Sequence, residues 1–190
     1  MDGGTYDRRV ERDNKVWQLI DEQGVLTSSK NDYLDLVIVK EAPSISRYYY
    51  KDNFTDGSGD NNSKACRLFT KVALGFITDK EEAQGVFQLQ LPATSLFGAA
   101  PDKKNNPRRL SYTAYKKYLG LHDYSPERMI TRISQDESVS YKKLLFEAVG
   151  FVPETFALLI EDLANSADAI AAVKTSFTVV EYNPFKPIKE

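Results

Sequence analysis

Short apolar runs of strand character, each closed by turn-forming residues, fill the chain from Val16 to Val152. Residues 34–40 (LDLVIVK) form the clearest of these, rich in the β-branched side chains that suit a pleated surface. Residues 66–77 and 84–91 read as two long strands joined by the charged turn TDKEEA. In the second, Val86, Gln88 and Gln90 alternate with Phe87, Leu89 and Leu91, the period of a half-buried strand ended by Pro92. Residues 16–26 place two apolar runs around Gly24 and predict a hairpin. Residues 46–51 predict a further strand after the break at Ala42-Pro43-Ser44, and residues 128–134 and 144–152 a strand pair across a polar turn.

Helical spacing occurs in two places. Tyr112, Tyr115 and Leu119 fall at i, i+3 and i+7 within residues 111–121, with Gly120 as a stop. Residues 155–173 predict one terminal helix, with Phe156, Leu159, Ile160, Leu163, Ala167 and Ile170 on one face. Strands, a helix, two strands and a helix do not give the strict alternation of a doubly wound sheet. The expected class is mainly β with helices, a small β-barrel of OB-fold-like connectivity with a mid-chain and a C-terminal helix. Residues 1–15 lack an apolar period and are expected as a flexible arm, 16–174 as the domain, and 175–190 (with two prolines near the end) as an extended tail. Residues 52–64 are nearly all turn formers and predict a loop or hairpin tip.

A chain of 190 residues suffices for one well-buried domain. No apolar run reaches the roughly eighteen residues of a membrane span, and the polar start is not a signal peptide. The single cysteine, Cys66, excludes an internal disulfide and a cysteine-rich zinc site. These features predict a cytosolic protein without membrane partners. The net charge of −2 does not exclude nucleic-acid binding, because clustering of charge matters more than its sum.

The charge does cluster. Residues 103–122 (KKNNPRRLSYTAYKKYLGLH) contain no acid, and Lys103, Lys104, Arg108, Arg109, Lys116 and Lys117 alternate with Tyr112, Tyr115 and Tyr118. Cations beside flat rings suit a single-stranded nucleic acid, its phosphates neutralised and its bases stacked. The competing reading makes the tyrosines a buried helix stripe and the lysines its wet face. Arg47, Tyr49 and Lys51 share one face of their strand by two-residue alternation, leaving Tyr48 and Tyr50 for the core. Arg67, Phe69 and Lys71 repeat that cation–ring–cation pattern on the next strand. Arg128 and Arg132 are further candidates on one strand face. Trp17, the only tryptophan, is expected in the core.

The runs LDLVIVKEAPSISRYYYKDNF, CRLFTKVAL, FQLQLPATSLFG, TAYKKYL, MITRIS and YKKLLFEAVGFV resemble bacteriophage single-stranded DNA-binding proteins over residues 34–152. The resemblance implies an OB fold and sequence-tolerant binding that protects single strands in replication or recombination. It also implies an infected bacterial cytoplasm and phage or host replication and recombination proteins as partners. Two departures limit the likeness. Related phage sequences often carry a longer cysteine-containing insertion where this chain has DGSGDNNSK, so a zinc-stabilised lobe is not carried over. The ending NPFKPIKE likewise lacks the acidic tail through which many such proteins dock partner enzymes.

Signs of catalysis are sparse, and no enzyme and no cofactor is expected. His122 is the only histidine and has no evident nucleophile beside it. Asp52, Asp56 and Asp60 are spaced like calcium-loop ligands, but Ser63 occupies the twelfth position where glutamate belongs. No Walker-type phosphate loop is present. The second reading is a protein-interaction module that uses the same barrel to hold a host or phage partner protein, docked on the acidic terminal helix with Glu154, Glu161, Asp162 and Asp168, whose apolar stripe also allows a homodimer.

Overall fold

A computed structural model describes residues 6–13, 15–29, 31–42, 45–49, 65–75, 85–97 and 108–173. Nine strands form one mixed sheet: β1 (Arg9–Asp13), β2 (Val16–Asp21), β3 (Gly24–Ser29), β4 (Tyr33–Glu41), β5 (Ile45–Tyr49), β6 (Ala65–Gly75), β7 (Val86–Leu91), β8 (Met129–Gln135) and β9 (Leu144–Phe151). Their spatial order is β3-β2-β1-β7-β6-β4-β8-β9, with β5 attached to β6. Every pairing is antiparallel except β1 with β7. Among the described residues no ladder joins β3 to β9, so the sheet is open and mainly β is the class it shows.

Both faces of the sheet are covered. One face gathers Leu36, Ile38, Val72, Leu74, Phe87 and Leu89 under helix α2 (Tyr112–Leu121), which contributes Tyr112, Tyr115 and Leu119. The opposite face sets Val37, Val39, Ala73 and Val86 against Ile160, Ala169 and Ala172 of the C-terminal helices. Strand β4 therefore reads as an unbroken apolar run, because its successive side chains are buried alternately on two covered faces. Gly75 sits where the second layer comes close: a Cβ there would lie 3.2 Å from Val39 Cγ1 and 3.3 Å from Leu163 Cδ1. The larger core also holds Val10, Trp17 and Leu19 together with Ile133, Leu144 and Phe146, from strands far apart in the sheet order. Arg12 Nη2, 2.6 Å from Glu137 Oε1, ties β1 to the turn between β8 and β9.

The hairpin around Gly24 (φ 120°), the long β6–β7 pair, the β8–β9 pair, α2 and the buried Trp17 agree with expectation. Three boundaries do not. Residues 9–13, expected within a flexible arm, form β1, where Val10 alone is buried and Arg9 pairs with Glu11 at 2.7 Å. One apolar residue among charges leaves no period to read. Met129, not Arg128, opens β8; Arg128 closes the 3-10 turn Pro126–Arg128.

The expected helix over 155–173 is two helices, α3 (Ala157–Ala164) and α4 (Ala167–Val173), after the short α1 (Ala93–Leu96) and α2. Ser166 Oγ accepts the Ala169 N–H at 3.1 Å, as an N-cap does, and starts the second helix afresh. The break changes the phase of the face. Ala169 and Ala172 turn inward, while Leu159 and Ile170, expected in the stripe, are exposed.

Candidate nucleic-acid interface

Strands β4 and β5 pair with β6 in succession, Glu41 opposite Val72 and then Ile45 opposite Phe69. Strand β7 follows β6 only as far as Thr70, opposite Leu91, where Pro92 ends it. Among the described residues, positions 65–69 pair with β5 alone, so the two strands run on beyond the sheet as a ribbon. Within it Arg47 is directly opposite Arg67, Tyr49 opposite Ala65, and Ile45 opposite Phe69. Positions directly opposite share a face, so the ladder brings positions 47, 49, 67 and 69 to the same side. Lys71 has the same parity and lies opposite Gln90, which is exposed. The side chains of Arg47, Tyr49, Arg67, Phe69 and Lys71 lie outside the described residues, as do Lys51, Lys103 and Lys104 entirely.

Like charges directly opposite on a ladder disfavour the pairing by up to about 1 kcal/mol.

The mid-chain candidates are arranged differently. Tyr112, expected from the sequence among the binding rings, is 2% exposed and packs in the larger core, which removes its faces from stacking. Its hydroxyl donates to Glu41 Oε2 at 2.7 Å, and Lys116 Nζ donates to Glu41 Oε1 at 2.7 Å. Burial, reinforced by the Glu41 charge, pushes the Tyr112 phenol far above its ordinary value. Tyr115 is buried as well, its hydroxyl 2.6 Å from Thr131 Oγ1, and burial raises it to about 12. The buried-stripe reading of these two tyrosines is the correct one.

Arg132 is held by Asp35, its partner across the β4–β8 ladder, through Nε to Oδ1 at 2.8 Å and Nη2 to Oδ2 at 3.0 Å. Those bonds raise its pKa further, and the guanidinium lies 3.7 Å over the Tyr33 ring. Arg109 Nη2 donates to Ser134 Oγ at 3.0 Å and the Gln135 carbonyl at 3.3 Å. The two arginines meet in an open pocket of about 330 Å³ with Tyr33, but Asp32, Glu137 and Glu147 line it too. Arg108 and Arg128 are exposed. The structure thus unites Arg109 with Arg132 and separates them from Lys116, which belongs to Glu41. Sequence reasoning missed Tyr33, Asp35 and Glu41, since carboxylates on an apolar strand gave no sign of which cations they would hold.

A phosphate reaching Lys116 or Arg132 has to displace a carboxylate already bonded to it. The ribbon is the better candidate for that reason. Among the described residues no three His, Cys, Asp or Glu side chains converge as a metal site, and no helix is long and apolar enough to cross a membrane. Comparison with protein-family models, characterised proteins and solved structures finds no match to this chain.

The buried phenols make stability sensitive to alkali. Tyr6, whose hydroxyl donates to the Val86 carbonyl at 2.8 Å, is raised to about 12, chiefly by burial. A phenol raised in the folded state contributes stability below its unfolded value of about 10 and loses it as pH climbs towards about 12. The melting temperature is expected to hold steady near pH 8–9 and then fall by several degrees by about pH 11. In Tyr115→Phe the melting point starts lower but the alkaline fall is shallower. A wild-type melting curve that is flat through pH 11 contradicts this account.

Proposed function

We propose that this is a non-enzymatic, phage-type single-stranded DNA-binding protein with little sequence preference, its sheet of OB-barrel type. It protects single strands in replication or recombination in the cytoplasm of an infected bacterium. One observation supports the reading most: the register that sets Arg47 opposite Arg67, with Tyr49 and Phe69 on the same side of the ribbon. Phosphates relieve the charge of such a pair, and neighbouring rings offer faces to bases of any identity.

The test is a titration of labelled oligo(dT), and of a duplex of equal length, at about 50 and 200 mM salt. Binding to the single strand is expected to be tighter, with a log–log salt slope of roughly −2 to −3 for three or four neutralised phosphates. Absence of binding at the lower salt, or affinity indifferent to salt, rejects the reading.

A second reading, a module that holds a host or phage protein, is favoured by Leu158, 74% exposed on α3 beside the exposed acids Glu161 and Asp162. Blank oligonucleotide titrations, with a partner retained through α3 and released by Leu158→Ser, support that alternative.

A further inference from the structure

Helix α2 ends in a turn that lines up aromatic rings on the surface. Asp123 takes the left-handed conformation (φ 55°), its N–H donates to the Gly120 carbonyl at 3.2 Å, and Tyr124 N–H donates to the Leu119 carbonyl at 2.9 Å. This Schellman closure folds the chain back across the helix end. It brings His122 between two tyrosines, 4.6 Å from the Tyr118 ring and 5.3 Å from Tyr124, the latter nearly parallel at 18°. Tyr124 in turn meets Phe151 of β9 edge to face at 5.1 Å.

The four rings divide by burial. Tyr118 and Tyr124 pack partly against the larger core, whereas His122 is exposed and Phe151 is 60% exposed. Ring area left in water at a hydrogen-bonded turn is a surface held in shape without being used by the core.

We propose that this row is a second base-stacking platform for the same single strand, an inference that rests on the single-strand reading. The charge around it fits that occupant. The solvent side of α2, with Thr113, Lys116, Lys117, Gly120 and Leu121, carries no carboxylate of its own, and Lys117 is the cation there that Glu41 does not hold, Lys116 being bonded to it. That side runs about 15 Å from the Arg108–Arg109 end to the row, at 1.5 Å per residue. Exposed Arg128 adjoins the far end, its carbonyl accepting the N–H of Val152, the residue after Phe151, at 2.8 Å. Asp123 and Glu127 offset part of this charge, so the rings and not the cations supply the main attraction at the row.

His122 is the only histidine of the chain, so its ring protons are a unique magnetic reporter. Adding oligo(dT) is expected to shift them upfield in proportion to saturation. The double variant His122→Ala/Phe151→Ala is expected to weaken oligo(dT) binding about 5- to 100-fold, the loss of one or so stacked bases, with an unchanged salt slope. Both side chains are exposed, and an unaltered melting temperature certifies the variant's fold. If wild type binds oligo(dT) while the His122 signals stay put and the double variant binds equally well, the platform is refuted and the single-strand reading stands. If wild type does not bind oligo(dT), both fall.

Discussion

Phe146→Ala is expected to lower the unfolding free energy by about 3–5 kcal/mol, the usual cost of emptying a fully enclosed phenylalanine site. Phe146 has no exposed surface, and its ring meets Tyr112 edge to face at 5.0 Å and Tyr115 at 6.0 Å. Its backbone is pinned too: its N–H donates to the Leu110 carbonyl at 2.7 Å and its carbonyl accepts the Leu110 N–H at 2.9 Å. Three elements converge there, so the cavity cannot close by shifting one of them. Against a total of roughly 5–15 kcal/mol, the loss is about a fifth at the least and more than half for a marginally stable fold. Trp17 lies in the same core and supplies a single fluorescence signal for denaturant unfolding. A loss below about 1 kcal/mol means that the core repacks and this account of it is wrong. Where the variant is still folded, the single-strand reading expects oligonucleotide affinity to change little, because it assigns binding to the ribbon and not to the Leu110 anchor.

What was legible in the residues follows from where a single pattern decides the structure. Strand β4 and the β6–β7 pair bury enough apolar surface for period and composition to mark them without tertiary knowledge. Tyr112, Tyr115 and Leu119 of α2 announced a helix face at i, i+3 and i+7, and the core closes on that face. Strand β1 left no such mark, because it is defined by partners on both sides, β2 and β7, and not by its own side chains. The split of α3 from α4 depends on one serine hydroxyl competing for a backbone N–H, a local choice that a smooth apolar period conceals.

Charge was the hardest feature to read. Arg132 and Lys116 looked like phosphate ligands in sequence, yet each found a carboxylate on β4, Asp35 and Glu41, that is distant along the chain. Sequence lists the cations; only register says which carboxylates face them. The same register works in the other direction on β5 and β6, where it sets arginine against arginine.

Under the single-strand reading, Tyr49→Ala combined with Phe69→Ala is expected to have the largest effect on binding. Each lost stacking face removes about 1–3 kcal/mol, so the pair weakens oligo(dT) binding roughly 30- to 10⁴-fold. The salt slope should be unchanged, since no cation is removed. Arg47→Ala with Arg67→Ala gives the complementary signature, a salt slope shallower by about 1.4 as two phosphates lose their partners. It has a second consequence that a merely structural pair would not show. Removing one arginine relieves the cross-strand repulsion, so Arg47→Ala should leave stability unchanged or raise it by up to about 1 kcal/mol while affinity falls. Fluorescence anisotropy at several salt concentrations and a thermal melt of each variant measure both quantities. Weaker binding with higher stability marks residues kept for a ligand against the interest of the fold. If Arg47→Ala instead destabilises the protein and leaves affinity intact, the arginines hold the ribbon together through other contacts and the proposed interface is lost.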